Sequence, residues 1–259
     1  DGRCKLDGQP LWKAAGGAHQ RTPVYTTEGG WLHIPTDEIV RDTVAAQQAG
    51  FQGAKIKVGL PRVADDVARL RAVRQAVGDS FELMVDANQC FTLSEALRRA
   101  AAYADLGIAW FEEPLPADDI AGHARLAAAS EVPIAVGESL YSPSQFADYI
   151  QQGACSIVQV DVARIGGITP WLKVAHLAEC HNLMVAPHFL MELHVSLTAA
   201  SPAAKWVEYI PQLDAVASSR VAIEQGHAAA PDAPGLGIDW RFDEIERRAV
   251  ERRRCSETA

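Results

Sequence analysis

Three carboxylates recur 26 residues apart, each closing an apolar run: Asp86 ends Phe-Glu-Leu-Met-Val-Asp, Glu112 ends Ala-Trp-Phe-Glu, and Glu138 ends Ile-Ala-Val-Gly-Glu. A β-branched or aromatic run, then an acid, then a helical stretch is the pattern of βα units in a parallel barrel. The C-terminal strand ends of such a barrel converge on one mouth. Three acids distant in sequence would meet there, where a cation relieves their mutual repulsion. The chemistry implied is that of a divalent-metal enzyme. Lys55 and Lys57, in Ala-Lys-Ile-Lys-Val-Gly, lie two apart on a strand, so both side chains take one face. Inside the mouth, like charge and burial would both push a lysine pKa down, toward service as a base at neutral pH. Flanking an edge or snorkelling outward is the other fate of such lysines, and a closed barrel has no edge to offer.

Two further strand ends complete the set. Asp161, in Ile-Val-Gln-Val-Asp-Val-Ala-Arg-Ile-Gly-Gly, closes the sixth expected strand, and His188, in Met-Val-Ala-Pro-His, the seventh. A carboxylate bonded to one ring nitrogen fixes the tautomer and raises the basicity of the other, giving a general acid or base. Glu208, in Trp-Val-Glu-Tyr-Ile, ends the eighth strand and, if protonated, could hydrogen-bond a substrate carboxylate; structural ion pairing is the alternative. Asn88 and Gln89, just past Asp86, are placed to orient substrate or a metal-bound water. Glu113 must point away from its neighbour Glu112 and reads as a supporting or salt-bridged residue. His194 lacks the i, i+4 spacing to His188 of a metalloprotease pair and reads as packing or surface. Gly166-Gly167 and Gly235-Leu-Gly237 are weak phosphate signals.

The elements that must hold these residues follow from periodicity. Eight strand-like runs are expected near 23–31, 54–59, 81–87, 109–113, 134–138, 157–162, 183–187 and 206–210, with amphipathic helices between them, such as Pro61 to Val77. Thr36, Thr92 and Ser142-Pro143 are candidate helix entries, and Gly50, Gly78, Gly107 and Gly153 candidate exits. The fold class is therefore α/β, a (β/α)8 barrel of the TIM type, for which 259 residues is the usual size. After Ile210 the alternation stops, leaving a strand-like Arg220 to Glu224, a turn-rich segment, and a charged helix from Glu244 to Arg254. A net charge of −9 argues against nucleic acid or an anionic membrane as partner. Five scattered cysteines without a Cys-x-x-Cys pair suggest neither disulfides nor zinc, and with no spanning apolar stretch or signal peptide the expectation is cytoplasmic.

Taken together, Lys-x-Lys at the second strand, Asp, Glu and Glu at the third to fifth, and Asp and His at the sixth and seventh resemble the enolase superfamily and its mandelate racemase-like subgroup. The resemblance runs from Gly8-Gln-Pro-Leu-Trp-Lys to Gly235-Leu-Gly-Ile-Asp239. It implies an enolase-like modified barrel, with Asp86, Glu112 and Glu138 as Mg²⁺ ligands. Lys57 would be the catalytic base, Lys55 its neighbour contacting a substrate carboxylate, His188 with Asp161 the acid/base on the opposite face, and Glu208 a carboxylate-binding group. Asp161 stands where the muconate-cycloisomerase and dipeptide-epimerase branch carries lysine, which disfavours that branch. Ala-Pro-His-Phe-Leu-Met-Glu-Leu-His is similar to galactarate- and talarate-type dehydratases, so dehydration of an acid sugar to a 2-keto-3-deoxy acid is the expected reaction. Racemisation or epimerisation of a 2-hydroxy acid is its rival, and a non-catalytic metal-binding scaffold a remote one. The partner would be a small anionic substrate, with a homo-oligomer expected by analogy. The family places an α+β capping domain before the barrel; here residues 1–22 read as the connection from it, 23–210 as the barrel, and 211–259 as a tail packing on barrel or cap.

Overall fold

The structure, a computed structural model, describes residues 1–251. Two short helices, α1 (Gly2–Leu6) and α2 (Leu11–Ala14), precede the barrel. Its strands are β1 (Arg21–Thr26), β2 (Gly53–Lys57), β3 (Glu82–Asp86), β4 (Ile108–Glu112), β5 (Ile134–Val136), β6 (Ile157–Val158), β7 (Met184–Val185) and β8 (Val207–Tyr209). Between them run α3 (Thr36–Gln48), α4 (Val63–Val77), α5 (Leu93–Tyr103), α6 (Ile120–Ala129), α7 (Pro143–Gln151), α8 (Ile168–Cys180) and α9 (Met191–Ala200). Neighbours from β1 to β7 pair in parallel, and β8 pairs with β1. A parallel bridge from Val185 to Ala204 closes the ring. All eight expected strands form.

Among the described residues, no helix comes directly after β8. A hairpin of β9 (Ala222–Glu224) and β10 (His227–Ala229) instead pairs antiparallel with Arg21–Pro23, the first half of β1. The chain then crosses to the N-terminal segment, where Leu11 N–H donates to Gly235 O at 2.7 Å and Gly235 N–H to Gln9 O at 2.9 Å. Because the tail covers α9 from outside, every residue of that helix but Leu193 is buried, and its polar members Glu192, His194 and Thr198 find hydrogen-bond partners inside. The charged terminal helix is shorter than expected, α10 (Phe242–Arg248), and Arg252 to Arg254 lie outside the described residues. Among the described residues no helix is long and apolar enough to cross a membrane, and Cys4, Cys90, Cys155 and Cys180 are free thiols.

Local chemistry sets the helix ends. Thr92 caps α5, and Ser142 with Gln145 forms a capping box at α7 with Pro143 in its first turn. Two expected entries shift: Thr36 lies inside α3 after Pro35 and does not cap it, and α4 starts at Val63 rather than Pro61. Several expected strands end early. Val160 and Val162 are buried, yet they lie past the two-residue ladder of β6, because the apolar run continues into the loop above it.

The barrel interior is filled by Tyr25, Met84, Trp110, Ala135, Ile157 and Ala186, and the outer strand faces pack on the helices. Tyr25 meets Trp110 edge to face at 5.3 Å. This layer is a dry floor beneath the mouth. A buried polar cluster secures the loop after β2. Asp66 on α4 accepts from Gly59 N (2.9 Å), Leu60 N (3.3 Å) and Tyr103 Oη (3.2 Å), and pairs with Arg99 on α5. Arg99 also donates to Leu60 O at 2.8 Å and lies over the Phe91 ring. Breaking such a pair strands a charge out of water, so Arg99→Met should cost about 3–5 kcal/mol in urea unfolding. Arg62→Met, which removes an exposed pair with Asp65, should leave the midpoint unchanged. Equal effects of the two would show that the cluster does not anchor the loop.

Candidate active site

Register builds the site. Lys57 pairs with Asp86 and Asp86 with Glu112 across β2, β3 and β4, so three charged side chains end level at the mouth. Glu112 pairs with Ala135, so Glu138 stands three residues beyond the ladder. Gly137 makes that turn possible: a Cβ there would sit 2.6 Å from the carbonyl carbon and oxygen of Gln159. Ligand atoms of Asp86, Glu112 and Glu138 all lie within 4.8 Å of one another. Asp161 and His188 likewise sit in the loops just past β6 and β7.

Electrostatics at the triad is one-sided. Lys55 is sealed inside, with Nζ 2.8 Å from Glu112 Oε1, 2.8 Å from Glu208 Oε1 and 3.6 Å from Asp86 Oδ2. Burial works to lower its pKa, but Glu112 and Glu208 outweigh that and hold it well above the ordinary lysine value. The expectation that burial and like charge would make Lys55 a weaker cation is thus reversed. Lys57 sits higher, its Nζ 2.5 Å from Asp86 Oδ2, 2.8 Å from Asn88 Oδ1 and 5.6 Å from the centre of the Trp31 ring. Asp86 is driven up by burial but, on balance, drawn below the usual carboxylate range by Lys55 and Lys57. Among the described residues, the Glu112 carboxyl receives Lys55, a hydrogen bond from Gln159 Nε2 at 2.7 Å and one from Trp110 Nε1 at 3.3 Å. Burial and the charge on Asp86 push its carboxyl up to about 8.

A triad of oxygen donors, one of them pushed toward its protonated form by burial and by the charge on Asp86, fits a hard divalent cation such as Mg²⁺. Nitrogen and sulfur donors of a softer metal are missing from the triad.

At the far end, His188 Nδ1 lies 2.8 Å from Asp161 Oδ2, and its Nε2 3.2 Å from Glu138 Oε2. Burial lowers the pKa of His188, but the Asp161 hydrogen bond and the charges of Glu208 and Glu138 raise it above the ordinary value overall. Asp161 is itself oriented by Ala163 N–H at 2.8 Å and Arg164 N–H at 3.1 Å. Arg164 Nη1 also donates to Glu138 O at 2.7 Å, tying the fifth and sixth loops together.

Two expected placements are corrected. Glu208 is not a protonated donor: burial favours the neutral form, yet Lys55, His188 and the Thr27 hydroxyl at 2.6 Å draw it down to about 2. Its oxygens serve as acceptors, the second one for Phe189 N–H at 2.8 Å. Gln89 does not face the substrate space. Its Nε2 donates to Glu113 Oε2 (3.1 Å) and Ser139 Oγ (2.8 Å), and its Oε1 accepts from Ala117 N–H (2.7 Å), so it staples the three loops that carry the triad. Glu113 is accordingly hydrogen-bonded, and its pKa is raised by burial and the charge on Glu138. Asn88, by contrast, is exposed at the mouth beside Lys57. Gln159 was missed, although Ile157, Gln159 and Asp161 alternate at the period that turns all three inward.

Known proteins resemble this chain in sequence and fold. The pattern of the enolase C-terminal domain-like family matches residues 38–245. The chain is 42% identical over 238 residues to the L-talarate/galactarate dehydratase of Salmonella typhimurium, covering 92% of this chain and 60% of that one. It is 34% identical over 245 residues to the arabinonate dehydratase of Saccharolobus solfataricus, covering 90% of this chain and 65% of that protein. The L-talarate dehydratase of Polaromonas sp. JS666, solved with Mg and L-glucarate, superposes with a TM-score of 0.90 at 41% identity, over 94% of this chain and 68% of that one. The chain thus spans about two thirds or less of the length of these relatives. With the barrel, the carboxylate triad and the lysine and histidine ends in place, it belongs to the enolase superfamily, and its barrel is of the enolase C-terminal domain-like family.

Proposed function

We propose that the protein removes the proton alpha to the carboxylate of an acid sugar and expels the β-hydroxyl as water, yielding a 2-keto-3-deoxy acid, with Mg²⁺ as cofactor. One observation carries this reading: two proton-carrying side chains, Lys57 and His188, stand at the two ends of a single row of carboxylates. The dehydratase relatives and the Mg of a solved relative support it.

Asp86, Glu112 and Glu138 would hold Mg²⁺, which when bound supplies positive charge against the negative charge that grows on a substrate carboxylate as its alpha proton leaves. Lys55, fixed as an ammonium, adds a second positive charge that needs no reorganisation during the reaction. Lys57 takes the alpha proton. Its amine is held by Asp86 and Asn88, so it does not have to search for its place. The electron pair of the broken C–H bond forms the Cα=Cβ bond, and the β-hydroxyl departs as water with a proton from His188. Asp161 accepts from Nδ1–H and stabilises the doubly protonated ring, whose Nε2 proton is the one given up. The resulting enol tautomerises to the keto acid. Racemisation or epimerisation uses the same two ends, with the proton returned from the other one.

Metal binding is tested by thermal unfolding. Mg²⁺ at a hundredfold excess over Kd should stabilise the fold by about 2.7 kcal/mol. Glu112 without a cation keeps its proton below about pH 8, and the cation must displace it. The Mg²⁺-induced rise in midpoint should therefore be larger at pH 8 than at pH 6, and no rise at either pH would refute the metal site. Lys57→Ala and His188→Ala should each lower turnover by about 10²–10⁴-fold while keeping that Mg²⁺ response; normal turnover in either rejects the assigned roles. The reaction itself is read by proton NMR of the protein at its full natural length, with Mg²⁺ in D₂O and a panel of hexarate, hexonate and pentonate acids. New 3-deoxy signals are expected. Alpha-deuterium exchange without loss of water would identify a racemase or epimerase instead, and silence across the panel would count against the acid-sugar reading.

A further inference from the structure

His194 was expected to be packing or surface, yet it lies fully buried on the first turn of α9, beside the Trp171 ring. Both ring nitrogens are used. Nε2 accepts from Val162 N–H at 3.1 Å, and Nδ1 lies 2.6 Å from Phe189 O. An amide N–H can only donate and a carbonyl only accept, so the ring is neutral with its proton on Nδ1. Desolvation, and the N–H that a second proton would aim at the Val162 amide, keep it so; its pKa falls to about 4.

The two peptide groups it grips are those next to the acid/base pair. Val162 follows Asp161, and Phe189 follows His188. The second loop is strained, since Phe189 and Leu190 both adopt left-handed backbone at φ 61° and 36°. Such a conformation persists only where its surroundings over-determine it. Glu208 holds the Phe189 N–H and His194 holds the Phe189 carbonyl, so both backbone polar groups of this residue are pinned. One rigid imidazole therefore spans the loops after β6 and β7, directly behind the 2.8 Å contact between Asp161 and His188.

We propose that His194 is a positioning residue that fixes the spacing of Asp161 and His188 by bonding the backbone beside each. The inference rests on the role given to His188 above, and its consequence is specific. Loosening the clamp should impair proton delivery to the departing hydroxyl while sparing proton removal at the Lys57 end, which is located by strand register. A residue that merely supports the fold would lower both together.

The test uses Mg²⁺-loaded protein at its full natural length with His194→Phe, which keeps the ring volume but neither bond, and His194→Gln as a second variant should the first not fold. In ¹⁵N-histidine-labelled protein, the His188 ring signals are assigned by their loss in His188→Gln. At a pH where the ring has lost its second proton, the wild-type signals should report a single tautomer with the remaining proton on Nδ1; in the His194 variants they should report a mixture. With an acid sugar that the wild type dehydrates, kcat should fall about 10²-fold with little change in KM, and the ratio of alpha-deuterium exchange to water loss should rise. Unchanged His188 signals, or exchange and water loss falling in step, would overturn the proposal. The NMR readout needs no substrate, so it decides the clamp even if the acid-sugar reading fails.

Discussion

A lysine with no access to water governs this barrel. Lys55 is 2% exposed and its ammonium is enclosed by carboxylates from β3, β4 and β8. An ion so placed is tolerable only with close partners, because each charge taken from water is costly unless the geometry repays it. The partners then outnumber it. Asp86, Glu112 and Glu208 surround one cation, Lys57 takes Asp86 as its carboxylate partner, and Glu138 stands nearby, so negative charge is left over in a region floored by Tyr25, Met84 and Trp110. Low-dielectric surroundings magnify that imbalance. Glu112, fully buried, bears burial and this imbalance as a raised pKa. The demand for a cation at the mouth is thus set by the same packing that keeps Lys55 charged.

Holding these groups together requires backbone that L-residues adopt reluctantly. Asn88, Gln89, Glu113, Phe189 and Leu190 all have positive φ, and all lie in the loops just above the strands that carry charged residues. Sites of this kind cost of order 1–3 kcal/mol each and need support from outside the turn. Side chains provide it. The Gln89 amide bonds three loops at once, Glu208 takes the Phe189 N–H while anchoring Lys55, and His194 takes the adjoining carbonyl. Glu208 therefore couples the two halves of the site: one oxygen serves the buried ammonium and the other the strained loop beside His188.

Much of this was legible in the sequence, and the boundary of legibility is physical. The acids at 86, 112 and 138 could be placed because a strand's end is marked by its own neighbours, and a parallel barrel gathers such ends without further information. The inward alternation of Lys55 and Lys57 was equally local. Protonation states were not, because they depend on who sits opposite. Lys55 faces Glu112 from 57 positions away and Glu208 from β8, and nothing in Ala-Lys-Ile-Lys announces either. The sign of its pKa shift and the turning of Gln89 into the neighbouring loops were missed for that one reason, and the choice between a protonated and an ion-paired Glu208 stayed open. His194 escaped notice because a buried histidine used at both nitrogens looks, in sequence, like any polar residue in an apolar helix.

The two ends of the site are consequently built in different ways. Lys57 and Asp86 are neighbours in a hydrogen-bonded ladder, so their separation is set by strand spacing and changes only if the barrel does. Asp161 and His188 lie beyond two-residue strands, in loops whose geometry depends on side-chain contacts from Arg164, His194 and Glu208. Positions held by regular elements are more precise than positions held on loops, and loops accept change more readily. In the proposed chemistry the Lys57 end performs the step common to dehydration and racemisation, proton removal alpha to a carboxylate. The His188 end decides whether water leaves or a proton returns. The invariant step thus falls to the register-held end, and the step that distinguishes one reaction from another falls to the end whose placement side chains can retune.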